Sequence, residues 1–287
     1  MTIRDFFAPF YIHPIVFIFI FISFVTGTFI QLFIILVIVM VHEMGHYIAA
    51  KIYNWRINRV MLWIFGGVME TEEHGNRPLY EDLIVTIAGP FQHIFIYIFG
   101  LFMSTFGFLP EIIVEQLMFF NTVILLFNLL PIWPLDGGKL LFYILAFYMP
   151  FRKAHHWTII LSLCLCLGVM IVQLFILPFT LATFLIFAFL IMENRLEWKR
   201  RTYVFMRFLM KRSEGNSEVR SMRPIVVHHT QSLQEVLYLL QRDKKHSIYV
   251  TFPNRERLIV DEAECLRGFF YEKKYKKTIG DIAMGSL

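Results

Sequence analysis

Residues 42–46 read His42-Glu43-Met44-Gly45-His46. On a helix, the i, i+4 spacing sets both imidazoles on one face. Two neutral histidines placed so suit Zn2+, and the glutamate between them is positioned to act as a base on a water molecule there. A catalytic zinc site takes three protein ligands and keeps one position open, so another buried His, Asp or Glu is required. The run Asn128-Leu-Leu-Pro131-Ile-Trp-Pro134-Leu-Asp136-Gly137-Gly138 offers the carboxylate of Asp136. Each feature has a plainer reading: polar residues at an interfacial helix end for the histidines, and a common Asp-Gly turn pair for Asp136. Their surroundings weigh against both.

Those surroundings are apolar. The 287 residues are 57% hydrophobic and 17% aromatic, with 32 Phe and only 17% charged; the mean hydropathy is +0.60. This excludes a disordered or collagen-like chain, and three Cys are too few for a secreted disulfide framework. They read as small buried hydrophobes in a reducing setting. The composition points to an integral membrane protein, and ionisable groups inside a membrane span are expensive and usually functional. Charge divides the chain near Asn194. Residues 1–193 carry 8 Lys/Arg and 11 Asp/Glu, whereas residues 194–287 carry 19 and 11.

A bilayer-crossing helix needs about 20 apolar residues. Six candidate spans emerge, at His13–Phe29, Ile30–Ala50, Leu83–Phe106, Leu117–Leu135, Trp157–Leu177 and Phe179–Met192. Connections near 27–31, 107–116 and 171–178 lack Lys and Arg, and the alternate ones hold Lys51, Arg56, Arg59, Arg77, Lys139, Arg152 and Lys153. The basic set is expected on the cytoplasmic side, with both termini in the cytosol. His42, His46 and Asp136 then share one depth near the cytoplasmic ends of their spans. Two prolines and two glycines around Asp136 break the fourth span and let backbone line a cavity.

The paired motifs, His42-Glu43-x-x-His46 and Asn128-x-x-Pro131-x-x-Pro134-Leu-Asp136-Gly137, resemble the site-2 protease family of intramembrane zinc metalloproteases. The likeness extends to Phe65-Gly66-Gly67 and Ala88-Gly89-Pro90. The run Glu72-Glu73-His74-Gly75-Asn76-Arg77-Pro78, the six-span layout and the tail are similar to the sporulation proteases of endospore-forming bacteria. This resemblance implies that His42, His46 and Asp136 bind one zinc ion and that Glu43 is the general base. It implies substrate contacts for Asn128 and Pro134, and a loop around Gly66 and Gly67 that offers a strand edge to an extended substrate. The plainer reading of that loop is an interfacial segment with no substrate role. The implied substrate is the membrane-associated precursor of sporulation sigma factor K, at the mother-cell membrane around the forespore, with small inhibitory membrane proteins as further partners. One departure stands out. Family members often carry Asn shortly after Ala-Gly-Pro, where this chain has Phe91-Gln92-His93. His93 reads as a packed helix histidine rather than a fourth ligand.

The expected fold is thus an α-helical polytopic membrane protein with a small α/β cytosolic domain. The expected divisions are 1–193 as the six-span protease domain, 194–216 as a basic juxtamembrane linker and 217–287 as a regulatory domain. Trp198 to Arg212 forms a basic, aromatic strip suited to anionic lipid headgroups. No nucleic-acid module is visible. Strands at Pro224–Val227 and Ser247–Phe252 flank a helix over Ser232–Arg242 capped by Ser232. This order looks like one cystathionine-β-synthase-type (CBS) motif. By that resemblance the tail is expected to bind ATP or another adenine nucleotide and, as a single motif, either to pair with a second copy or to form an incomplete site; its plainer reading is a docking domain with no ligand. Lys273–Lys277 reads as a solvated end.

Two other functions compete. A catalytically silent membrane scaffold could retain a structural zinc site, although such a site has no use for Glu43. A metal transporter would spread its ionisable groups along a path, whereas here they converge.

Overall fold

A computed structural model describes residues 10–63, 66–71, 77–176, 178, 180–214, 221–253, 257–272 and 277–285. The runs 72–76 and 273–276, and Phe65, lie outside the described residues. The chain divides into two compact units: residues 1–140 with 169–190, and residues 141–168 with 191–287.

In the first unit, helices α1 (Pro14–Thr26), α2 (Phe29–Ile52), α3 (Leu79–Thr105) and α4 (Glu111–Asn128) follow the apolar runs. Gly27 closes α1 with φ +74°, a conformation that glycine adopts without a Cβ penalty. Ile34 and Ile38 of α2 pack with Ile96 of α3 and Leu117 of α4 to form a small interhelical core. Elsewhere large apolar side chains face outward: Phe21 is 70% exposed and Leu101 64%. In water such a surface would aggregate; in hydrocarbon it is the solvated face.

A three-stranded sheet, β1 (Phe10–Ile12), β2 (Ile57–Trp63) and β3 (Gly66–Thr71), has the order β1-β2-β3. β1 runs parallel to β2, and β2 pairs antiparallel with β3 from Ile57↔Thr71 to Trp63↔Gly66. The stretch on either side of Gly66 is therefore an antiparallel strand pair. Val60 of β2 packs on Tyr47 of α2, seating the hairpin on the helix that carries the paired histidines.

The helix boundaries differ from those expected. The fourth span ends at Asn128 rather than Leu135, and residues 129–135 are irregular before α5 (Asp136–Tyr148) begins. Pro131 and Pro134 lack the N–H that a continuing helix would donate. Further along, α6 (Phe151–Phe175) starts six residues earlier than its expected span, and α7 (Leu181–Ser213) continues through the basic strip. Among the described residues, α2, α3, α4 and α6 are long and apolar enough to cross a membrane. α1 is apolar but has 13 residues, about 20 Å of rise.

The second unit builds β4 (Ser221–His228), α8 (Leu233–Leu237), β5 (Lys244–Thr251), β6 (Arg257–Asp261), α9 (Glu262–Phe270) and α10 (Ile279–Gly285) beside the C-terminal part of α7. β4 pairs parallel with β5, and β6 pairs antiparallel with β5. Ser232 caps α8 as expected, through a reciprocal capping box with Glu235, but the helix stops at Leu237, five residues early. Arg212, in the last turn of α7, is buried against Glu262 of α9, with Nη2 donating to Oε2 at 2.9 Å and Nη1 to the Gln241 carbonyl at 2.8 Å. The backbone N–H of His246 donates to the same Glu262 oxygen at 2.9 Å. Burial opposes ionisation of Glu262, but the His246 and Arg212 hydrogen bonds and the Arg212 charge outweigh it and hold the carboxyl below the usual glutamate value.

An acid-sensitive tail follows. A depressed folded-state pKa stabilises above the unfolded glutamate value, about 4.3, and that stabilisation is lost as pH falls through the folded value. The full chain in detergent is expected to expose the buried Cys265 thiol to dithiodipyridine once the pH falls below the usual glutamate range. Glu262→Gln is expected to expose it already at neutral pH, because it strands the Arg212 charge at a cost of about 3–5 kcal/mol. Unchanged Cys265 protection in that variant would remove Arg212–Glu262 as the tie.

Candidate active site

The first unit brings His42, His46 and Asp136 together from α2 and from the first residue of α5. All three are buried, as is Glu43. His42 Nε2 lies 3.1 Å from Asp136 Oδ2, His46 Nε2 lies 3.0 Å from the same oxygen, and the two Nε2 atoms are 3.1 Å apart. His46 Nδ1 sits 2.7 Å from the carbonyl oxygen of Val85 in α3. A carbonyl only accepts, so Nδ1 carries the proton and Nε2 turns its lone pair inward. The second oxygen of Asp136 takes the ammonium of Lys139 at 3.1 Å, one turn along α5. That leaves Oδ2 for the centre of the cluster.

Two imidazole nitrogens and a carboxylate oxygen converging 3.0–3.1 Å apart lie a few tenths of an ångström inside the ligand separations, about 3.3–3.6 Å, of a tetrahedral ion with bonds of about 2.0–2.2 Å. Converging lone pairs repel one another unless a cation lies among them, so the donor set fits Zn2+. Among the described residues the donor group has three members, which would leave a fourth position for water or substrate, the arrangement of catalytic rather than structural zinc.

The sheet reaches this centre. A Cβ added at Gly67 of β3 would overlap Cγ of Glu43 and come within 2.8 Å of Oε1, so β3 passes directly over the glutamate. Gly66 has φ +137°, where a side chain would be strained. Gly89 of α3 has the same function toward His46, whose ring occupies the space of its missing Cβ. Gly67→Ala is therefore expected to displace the Glu43 carboxylate. Displacements near 1 Å cost about 100-fold in rate, while zinc content measured by atomic absorption stays at the unaltered level. Full activity in Gly67→Ala would mean that β3 does not confine Glu43.

The remaining sequence candidates divide. Asn128 ends α4, and its amide Nδ2 donates to the Ile124 carbonyl of its own helix at 3.0 Å. Pro134 lies in the irregular stretch just before Asp136. His93 is absent from the donor cluster, yet it is buried with Nε2 3.1 Å from Nδ1 of His42. Lys139, which the motifs do not single out, touches Asp136, and Asn121, likewise unmarked, is linked to the centre through His93. A signal for His93 and Asn121 exists in their position, since each is a polar side chain in the middle of an apolar helix.

Comparison with known proteins agrees with this geometry. A sequence profile of Peptidase family M50 matches residues 30–112 and 110–171, which contain all four residues of the centre. The chain is 36% identical over 281 residues to stage IV sporulation protein FB of Bacillus subtilis (strain 168), covering 98% of each. It is 35% identical over 122 residues to a zinc metalloprotease of Methanocaldococcus jannaschii, covering 40% of this chain and 34% of that one. Its structure resembles the site-2 protease from Methanocaldococcus jannaschii with a TM-score of 0.54 and 25% identity, over 66% of this chain and 90% of that one. With buried zinc-type donors on apolar helices and a relative matched end to end, the chain belongs to peptidase family M50, as an integral membrane zinc metalloprotease of the site-2 type.

Proposed function

We propose that this metalloprotease hydrolyses a peptide bond in the pro-sequence of a membrane-associated precursor, that of sporulation sigma factor K. His42, His46 and Asp136 hold the ion, and Glu43 is the base. The convergence of those three ligand atoms beside Glu43 carries the catalytic reading. The end-to-end similarity to a stage IV sporulation protein supports the choice of substrate.

A zinc ion held by His42, His46 and Asp136 would supply an acidified water and polarisation of the scissile carbonyl. Glu43 takes the water's proton as the carbonyl is attacked and hands it to the leaving amine. Gly66 and Gly67 lie in β3, the outer strand of the sheet order. An extended substrate segment added along that edge would pass Glu43, and strand addition suits a protease whose substrate helix must first unwind. Asn128 and Pro134, on either side of the irregular stretch, are assigned to the substrate path.

In the same reading, residues 1–193 form a six-span catalytic domain with both termini cytosolic, in the mother-cell membrane, held in check by inhibitory membrane proteins. The basic residues of 194–216 face anionic lipid, and 217–287 form one CBS-type motif that binds an adenine nucleotide and pairs with a second copy. The parallel strand–helix–strand arrangement of β4, α8 and β5 supports that last reading. Co-expression of the full chain with the sigma-factor precursor tests the substrate. A shortened factor is expected, and an intact precursor beside zinc-loaded chain would overturn this choice of substrate.

A further inference from the structure

The imidazole of His42 must present Nε2 as a lone pair, and nothing on its own helix sets that tautomer. For His46 a backbone carbonyl does so. For His42 the task falls to side chains of two other helices. Asn121 of α4 donates through Nδ2 to the His93 carbonyl at 3.2 Å, which leaves its Oδ1 as the atom 2.7 Å from His93 Nδ1. That oxygen only accepts, so the proton of neutral His93 is on Nδ1 and its Nε2 is an acceptor. His93 Nε2 in turn meets His42 Nδ1 at 3.1 Å, which must then be the protonated nitrogen. His42 Nε2 is left unprotonated, 3.1 Å from Asp136 and from His46.

We propose that His93 and Asn121 are positioning residues for the metal centre, an oriented hydrogen-bond chain that fixes the tautomer and ring angle of His42. This rests on the reading of His42 as a zinc ligand. Both residues are fully buried. In a dry site each reversed or missing hydrogen bond would leave a polar group stranded, so the chain holds one direction. The partner of a ligating histidine is more often a carboxylate or a carbonyl, and loss of such outer partners commonly weakens metal binding about 10–100-fold. A neutral His–Asn pair gives the same orientation without adding a negative charge inside the bilayer.

The test uses the full chain in detergent micelles, with zinc affinity read by chelator competition and the visible spectrum of the cobalt-substituted form. His93→Leu, which keeps bulk but no acceptor, is expected to bind zinc about 10–100-fold more weakly and to shift the cobalt bands. His93→Gln, whose amide oxygen has similar reach, is expected to recover most of the affinity. Asn121→Ala leaves all three rings in place and is expected to lose less than His93→Leu while still moving the cobalt spectrum. A purely structural role would lower the unfolding temperature of the metal-free chain without separating Leu from Gln in affinity. Zinc binding by His93→Leu within about twofold of the unaltered chain would overturn the proposal, as would equal affinities for the Leu and Gln variants. If His93→Leu does not fold, Asn121→Ala decides, and unchanged affinity and spectrum there overturn it. Failure of the metal reading itself is seen separately, as an unaltered chain that binds no stoichiometric zinc.

Discussion

Glu43→Gln is expected to keep one zinc ion per chain and to slow peptide hydrolysis about 10²–10⁴-fold, the range supplied by a positioned general base. Glutamine has nearly the shape of glutamate, so packing under Gly67 is retained, but its amide cannot take the water's proton. The residual rate reports what polarisation and positioning supply without the base. Zinc content separates this outcome from site collapse, and single-turnover cleavage in detergent gives the rate free of product release. Processing at the unaltered rate would remove Glu43 from the mechanism.

The candidate donors are legible in the sequence because membrane composition leaves so few ionisable residues to choose from. Once the body is recognised as apolar, His42, Glu43 and His46 are costly, and helical spacing alone places the two imidazoles on one face. Asp136 is legible in type, as the carboxylate of the second motif. What hydropathy does not give is the boundary before it. Leu129, Leu130, Ile132, Trp133 and Leu135 continue an apolar run, so hydropathy carries the span to Leu135, while the proline positions end the helix at Asn128. The same blindness hides the length of α7. Hydropathy falls at Glu193, but a helix stops where capping and Gly or Pro stop it, and residues 194–213 contain neither Gly nor Pro.

Pairings between helices are less legible still. His93 and Asn121 are 28 residues apart, and only the packing of α3 on α4 makes one the partner of the other. Lys139 counts as one more cytoplasmic cation in the charge pattern. In the structure its ammonium is committed to Asp136, a consequence of i, i+3 geometry that a helix starting at Asp136 discloses. In the tail, the Ser232–Glu235 capping box marks the start of α8, whereas beyond Leu237 the N–H groups of Leu239 and Leu240 close tighter turns onto Val236 and Leu237, a stop that no Gly or Pro announces.

Asp136→Asn is expected to empty the site. Asp136 supplies the centre's anionic donor among the three ligands, and with two neutral imidazoles it brings the charge around Zn2+ to +1. An amide oxygen restores neither that charge nor the donor strength, so zinc affinity is expected to fall by more than the roughly 100-fold that loss of an outer partner can cost. Lys139 deepens the effect. Its ammonium, 3.1 Å from Oδ1 in the intact protein, would stand beside the ion without the Asp136 charge that offsets it. Lys139→Met is accordingly expected to rescue part of the affinity of Asp136→Asn while changing zinc binding little when made alone. The helices are expected to persist, because the Ile34, Ile38, Ile96 and Leu117 cluster that joins α2, α3 and α4 involves none of the ligands. The measurement is zinc per chain after chelator dialysis, with far-ultraviolet circular dichroism on the same samples. Asp136→Asn that keeps one tightly held zinc and cleaves at the unaltered rate would place the third ligand elsewhere. Zinc loss with helicity intact, partly reversed by the Lys139 change, would show that one carboxylate both binds the ion and offsets the neighbouring ammonium.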